Sequence, residues 1–166
     1  MTPGRVTIMS DDHKPFATGS CQCGHVTYEV SSPPMATYVC YCTECQKLSA
    51  GVASTTMAIP RGALNINPES LKQFERKGHG GTRNVAHFCP ECGNRIYHEN
   101  PDQPEILRLK TGTLDNQEIV QPVMHVWTIR KPHWLPLPEG GLVYETQDTP
   151  AEMLAALQAH LADQQA

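Results

Sequence analysis

The segment CYCTECQKLSAG, residues 40–51, places Cys40, Cys42 and Cys45 within six positions. Zinc in proteins takes four tetrahedral ligands, and cysteine sulfurs bind it at about 2.3 Å. Thiols two or three residues apart can converge on one ion, so these three most easily serve a single zinc. Three protein ligands leave the fourth position open to water or substrate, as is typical of catalytic zinc.

The other four cysteines form two pairs, Cys21 with Cys23 and Cys89 with Cys92. Together they supply the four thiolates of a closed, structural zinc site. Because 66 positions separate Cys23 from Cys89, this ion would join two distant parts of the chain. The grouping therefore predicts two zinc ions per chain, one closed and one open.

Three other interpretations of the cysteines stay open. Cys42 and Cys45 alone have the spacing of a thioredoxin-like redox pair, although that motif belongs near a βαβ pattern, which we do not find. In the second interpretation, the chain binds a single zinc and the remaining three thiols are buried without a metal. In the third interpretation, a histidine is the fourth ligand of the open site. The candidates are His25, His79, His87, His98 and His125.

Length and composition favour one domain of short strands and loops. The chain has 166 residues, of which 14 are proline and 12 are glycine, and these residues interrupt regular elements. The net charge is −4 and no Lys/Arg run stands out, so we expect no nucleic-acid partner. No apolar stretch has the length of a signal peptide or membrane span, and seven cysteines suit a reducing compartment. We expect a cytoplasmic protein without a membrane contact.

The hydrophobic pattern predicts a mainly β fold with one helix at the C-terminal end. Strand candidates lie at 26–30, 52–60, 95–98, 105–111 and 123–129, and Asn67 followed by Pro68 predicts a short helix over 67–74. We divide the chain into a loose lead-in (1–16), the zinc domain (17–135) and a Pro-rich segment followed by a helix (136–166). Thr149, Pro150 and Glu152 form a capping-box pattern before that helix.

The C-terminal helix carries apolar residues at helical spacing. These residues are Met153, Leu154, Leu157 and Leu161. An amphipathic helix of this kind docks either on its own domain or on the second chain of a homodimer. We expect docking on the domain, and keep the homodimer as the alternative.

Five segments resemble the glutathione-dependent formaldehyde-activating enzyme family, which includes centromere protein V. They are GSCQCGHVTYEV (19–30), CYCTECQKLSAG (40–51), HFCPECGNRIYH (87–98), LKTGTLD (109–115) and HVWTIRKPHW (125–134). The resemblance implies a small β-tent of antiparallel sheets with two zinc ions. It assigns the structural zinc to Cys21, Cys23, Cys89 and Cys92, and the catalytic zinc to Cys40, Cys42 and Cys45. Tyr41 departs from the family, whose members often carry histidine there.

The resemblance also implies an activity, a carbon–sulfur lyase that adds a zinc-bound thiol such as glutathione to formaldehyde or another small carbonyl compound. Three thiolates beside a bound substrate thiolate would leave excess negative charge on the site. Lys47, Arg83 and the backbone N–H groups of 49–51 are the expected compensating groups. The alternatives are a non-enzymatic, zinc-stabilised binding module and a redox or metal sensor.

Overall fold

An eight-stranded sheet forms the larger part of the computed structural model, which describes residues 14–78, 81–147 and 149–163. The eleven strands found there are β1 (Ala17–Ser20), β2 (Thr27–Val30), β3 (Ala36–Cys40), β4 (Ser54–Pro60), β5 (Leu64–Ile66), β6 (Lys72–Lys77), β7 (Arg83–Phe88), β8 (Arg95–Asn100), β9 (Gln103–Lys110), β10 (Met124–Val126) and β11 (Leu142–Val143). The two α-helices are α1 (Thr43–Ser49) and α2 (Pro150–Asp163). The predicted mainly β fold with a C-terminal helix is therefore confirmed.

The strands form two sheets. The larger has the order β11-β10-β3-β4-β9-β8-β7-β6, and the smaller has the order β1-β2-β5. All pairings are antiparallel except those of β10, which runs parallel to both β3 and β11. The smaller sheet is tied to the larger part by a bridge between Gly19 and Leu114.

Alternation along the central strands separates two faces of the large sheet. On β4, Met57 and Ile59 point into the main hydrophobic core, while Thr56, between Met57 and Thr55, lies on the opposite face. Leu107 and Leu109 of β9 continue the same core, as the period-two geometry of a strand requires. The opposite face carries polar side chains and positions the site described below.

The predicted helix over 67–74 is wrong. Asn67 does cap a turn, because its side chain accepts a hydrogen bond from the Glu69 N–H, but that single 3₁₀ turn ends at Ser70. Residues from Lys72 onward instead pair with β7. Long-range strand pairing satisfies the backbone here, and it outweighs the local capping signal. Other 3₁₀ turns span Arg61–Ala63, Thr111–Thr113, Gln117–Ile119 and Thr128–Arg130.

Helix α2 packs against the edge of the large sheet. Thr149 and Glu152 form the expected capping box, in which the Thr149 N–H and hydroxyl both donate to the Glu152 carboxylate. Met153 and Leu157 are buried in a second core, whereas Leu154 is 42% exposed and does not share the buried face. The Leu161 side chain lies outside the described part of the chain. No helix among the described residues is long and apolar enough to cross a membrane.

Candidate metal centres

The first centre brings together the sulfurs of Cys21, Cys23, Cys89 and Cys92, which all lie within 4.8 Å of one another. The Cys21 and Cys23 sulfurs are 3.5 Å apart, and those of Cys23 and Cys89 are 3.7 Å apart. A tetrahedron of sulfurs about 2.3 Å from a central zinc has edges of about 3.8 Å. The spacing of this group therefore fits a zinc ion with four thiolate ligands.

Two similar turns hold the ligands of this centre. In each turn, the N–H of the first cysteine bonds the carbonyl five residues later: Cys21 bonds Val26, and Cys89 bonds Asn94. Each turn also contains a glycine with positive φ, Gly24 at 77° and Gly93 at 74°. A side chain is disfavoured in that backbone region. These glycines therefore allow both turns to close tightly around the sulfurs.

Backbone donors favour the thiolate form at this centre. Burial opposes ionisation of Cys21, but the Val26 N–H and the neighbouring thiols outweigh it and lower the pKa of Cys21 to about 6. The Val26 nitrogen lies 3.2 Å from the Cys21 sulfur. Hydrogen bonds to the charged form stabilise it, so this turn is prepared to present a thiolate ligand.

The second centre is built on consecutive residues. Cys40 ends β3, Cys42 is the N-terminal cap of α1, and Cys45 lies in the first turn of that helix. The Cys42 sulfur accepts a hydrogen bond from the Cys45 N–H at 3.4 Å. The three sulfurs lie within 4.8 Å of one another. The turn from strand to helix therefore gathers three ligands without any contribution from a distant segment.

The charge on these three sulfurs is strongly interdependent. Hydrogen bonds from Cys40 and Cys45 lower the pKa of Cys42 to about 2, while hydrogen bonds to Cys42 and Cys45 raise the pKa of Cys40. One thiolate is thus stabilised by two neighbouring thiols. Ionising all three at this spacing requires a cation among them, which is the role of a bound metal ion.

A cavity of about 410 Å³ adjoins one of the two centres but not the other. Cys40, Cys42 and Cys45 line this cavity, and within the described chain none of the other four cysteines does. The volume falls in the range of about 300–1,000 Å³ that holds small molecules. The second centre therefore faces a space that can admit a substrate, and the first does not face it.

The cavity wall is rich in positive charge. Among the described residues, its charged lining includes one carboxylate, Glu44, and four cations, Arg76, Arg83, Arg108 and Lys110. Glu44 pairs with Arg76 at 3.4 Å, and Arg83 pairs with Glu75 at 2.7 Å. The cavity therefore favours anions.

Lys110 is the cation that acts on the second centre. Its ammonium group is buried and donates to the Thr56 hydroxyl at 3.0 Å. Burial lowers the pKa of Lys110, while the charges on Cys45 and Cys40 act in the opposite direction. Lys110 was not among the site residues predicted from sequence, although it lies in the segment LKTGTLD (109–115).

The compensating groups expected from sequence are placed differently. Arg83 does line the cavity, but Lys47 is exposed on α1 and is not part of the lining. The N–H groups of Ala50 and Gly51 bond carbonyls of the preceding turn. They therefore terminate α1 instead of donating to the sulfurs.

No histidine belongs to either sulfur group in the described chain. His87 donates from Nε2 to the Glu99 carboxylate at 2.9 Å, and His125 pairs with the Tyr41 hydroxyl at 3.0 Å. His25 is exposed, and His79 lies outside the described residues. His98 lines the cavity, and it is the one candidate among those that the structure describes to do so.

Comparison with known proteins shows which family the chain resembles. The model of the family described as glutathione-dependent formaldehyde-activating enzyme matches residues 16–130. A Halomonas elongata protein named "Putative glutathione-dependent formaldehyde-activating enzyme" is 29% identical over 128 residues, which cover 70% of this chain and 78% of that protein.

A solved structure is similar in fold. The crystal structure of a Rhodobacter sphaeroides protein matches with a TM-score of 0.50 and 20% identity, over 66% of this chain and 99% of that one. The family match spans more than half of the chain and includes all seven cysteines. The chain therefore belongs to the glutathione-dependent formaldehyde-activating enzyme family.

Proposed function

We propose that this protein is a zinc-dependent carbon–sulfur lyase that adds a thiol, glutathione or a similar molecule, to formaldehyde or another small carbonyl compound. The observation that carries the proposal is the placement of Cys40, Cys42 and Cys45 on the wall of a 410 Å³ cavity. A binding module stabilised by zinc has no need for a ligand group that is open to a cavity.

The two sulfur groups have different roles in this proposal. Cys21, Cys23, Cys89 and Cys92 hold a structural zinc, and Cys40, Cys42 and Cys45 hold a catalytic zinc. When bound at the second group, zinc supplies an open position at which a thiol loses its proton near neutral pH. All seven cysteines are free thiols, so we also propose a reducing, cytoplasmic setting.

The reaction forms one carbon–sulfur bond. The sulfur of the ionised thiol attacks the carbonyl carbon, the carbon–oxygen π bond breaks, and the oxygen takes a proton to become a hydroxyl group. The thiol releases one proton and the oxygen gains one, so no oxidant or reductant is consumed. With glutathione and formaldehyde the product is S-hydroxymethylglutathione.

Residues of the cavity suit this chemistry. Lys110 places a positive charge beside the sulfurs, where negative charge accumulates. Tyr38 also lines the cavity, and burial raises the pKa of its phenol to about 12. The phenol is therefore protonated at neutral pH and is able to donate a hydrogen bond to the developing oxyanion.

The direct test is exchange NMR of glutathione with formaldehyde in the presence of the zinc-loaded protein. We expect wild type to accelerate interconversion of free and hydroxymethylated glutathione. The Cys42→Ser variant should keep its circular dichroism spectrum and return the rate to the uncatalysed value. Equal rates with and without wild-type protein would contradict the proposed function.

A further inference from the structure

A continuous row of polar side chains crosses the cavity face of the large sheet. Strand register pairs Tyr38 with Thr56 and Thr56 with Lys110, and it pairs His98 of β8 with Arg108 of β9. Arg108 and Lys110 are two positions apart on β9, so they share this face. The row therefore runs from the strand that carries Cys40 to the far side of the cavity.

Three residues of the cavity lining carry a buried polar atom without a hydrogen-bond partner. These atoms are Arg108 Nη1, His98 Nε2 and Asn84 Oδ1. Buried donors and acceptors are rarely left unpaired, because each loses its hydration without compensation. Their occurrence together in one cavity indicates a polar ligand that forms hydrogen bonds with them.

The charge of this region specifies the sign of that ligand. Within the described chain, neither Arg108 nor Lys110 forms an ion pair with a carboxylate. Arg108 uses its other nitrogen, Nη2, to donate to the Gln103 side-chain carbonyl at 2.6 Å, and Lys110 donates to Thr56. Both are neutral partners. Lys110 has the cysteine sulfurs as a source of negative charge, whereas the half-buried Arg108 has no such partner. A partly desolvated cation is stabilised by a counter-charge, so an anion is the ligand expected at Arg108.

We propose that Arg108 and His98, with Lys110 beside them, form a subsite for a carboxylate of the thiol substrate. The inference rests on the proposed function and narrows its substrate class to thiols that carry a carboxylate. A single molecule in the cavity would present its sulfur to Cys40, Cys42 and Cys45 and its carboxylate to Arg108. Thiols without a carboxylate, such as 2-mercaptoethanol, would lack this second anchor.

The protonation state of His98 suits a donor in such a subsite. Burial and, after it, the charges of Lys110, Arg95 and Arg76 lower the pKa of His98 to about 2. The ring is therefore neutral at physiological pH, and one of its nitrogens carries a proton. That N–H can donate to a carboxylate oxygen next to the Arg108 guanidinium, which binds carboxylates through its planar fork of donors.

Calorimetric binding of glutarate to the zinc-loaded full chain tests the subsite. Glutarate carries carboxylates but no thiol, so its binding does not depend on the addition reaction. We expect Arg108→Gln to weaken glutarate binding by about 10- to 100-fold, the range for loss of a charge-assisted hydrogen bond. Arg130→Gln is the matched control, because Arg130 is exposed and outside the cavity lining, and it should bind glutarate like wild type.

Two further measurements make the test decisive if Arg108→Gln is unstable. His98→Gln should weaken glutarate binding in the same direction, and amide NMR of wild type should show glutarate shifts concentrated on β8 and β9. Absence of glutarate binding, or equal binding to wild type and a folded Arg108→Gln protein, would overturn the subsite. If glutarate bound only at the open zinc position, wild type and Arg108→Gln would bind it equally, which is one of these contradicting results. Failure of the formaldehyde reaction with normal glutarate binding would overturn the proposed function alone.

Discussion

The two sulfur centres use the same side chain but differ in how the chain assembles them. The four-cysteine centre draws on turns that are 66 positions apart, and it faces no part of the cavity. The three-cysteine centre uses six consecutive positions at the junction of β3 and α1, and it lines the cavity. Ligands from distant segments stabilise the fold as well as the metal, whereas ligands from one segment leave the fold largely independent of the metal.

The comparison assigns different consequences to the loss of one ligand. If the first centre binds zinc as we propose, metal binding and folding are one event there, because the site exists only when both turns have come together. At the second centre, the turn from β3 to α1 brings the ligands together locally, and the Cys45 N–H donates to the Cys42 sulfur.

The largest effect is expected for Cys89→Ser, which removes a fully buried ligand of the first centre. Structural zinc contributes about 10–16 kcal/mol in small zinc domains, which equals or exceeds the stability of most domains at about 5–15 kcal/mol. The variant should be largely unfolded at 25 °C by circular dichroism. The matched control, Cys42→Ser, should stay folded, and unfolding of both variants alike would remove the contrast between the centres.

The next effect is expected for Leu157→Ala on α2. Leu157 is 3% exposed and packs in the core that includes Cys40 and Cys42. Truncation of a buried leucine costs about 2–5 kcal/mol, and the loss should also speed zinc release from the second centre to a chelator. Urea unfolding and chelator kinetics measure the two effects.

Leu154→Ala is the control on the same helix, because Leu154 is 42% exposed. Its stability should change by less than about 0.5 kcal/mol. If the two leucine variants behave alike, α2 does not support the second centre in the way that the packing indicates.

The smallest effect concerns the pH dependence of stability on the cavity side. His98 has a pKa lowered from 6.5 to about 2 in the folded protein, so below pH 6.5 the unfolded chain binds a proton that the folded chain does not. This contribution to stability is complete above pH 6.5 and is lost as the pH falls. In wild type, the free energy of unfolding should therefore fall by about 1.4 kcal/mol per pH unit below pH 6.5 through this residue. The His98→Gln variant should not show this fall.

Urea unfolding of wild type and His98→Gln at pH 7.5 and pH 5.5 measures the difference. Zinc release in acid affects both proteins equally, so it cancels in the comparison. A stability gap between the two proteins that is the same at both pH values would show that His98 takes up its proton normally in the folded state.

Cysteine spacing predicted the two sulfur groups because ligands that share an ion recur at short intervals. The strands around 26–30, 52–60 and 105–111 were also predictable, since apolar alternation and β-branched residues depend only on local geometry. The parallel pairing of β10 with β3 was not, because it joins segments more than 80 positions apart and leaves no local signal.

The cationic wall of the cavity shows why the rest of the site could not be predicted. Leu107, Arg108, Leu109 and Lys110 alternate clearly, but that pattern is the same whether the polar face meets solvent or a cavity. Only the pairing with neighbouring strands places Arg108 opposite His98 and Lys110 opposite Thr56. Lys47, one of the expected compensating groups, is close to Cys45 along the chain, whereas Lys110 is close to the cysteines only in the fold.

Zinc per chain, measured by elemental analysis on wild type and Cys42→Ser, tests the central claim most directly. The account predicts two zinc ions in wild type and one in a folded Cys42→Ser protein, with glutathione added or absent. One zinc ion in both proteins would contradict the account, because the three-cysteine centre would then hold no metal and the proposed chemistry would have no site.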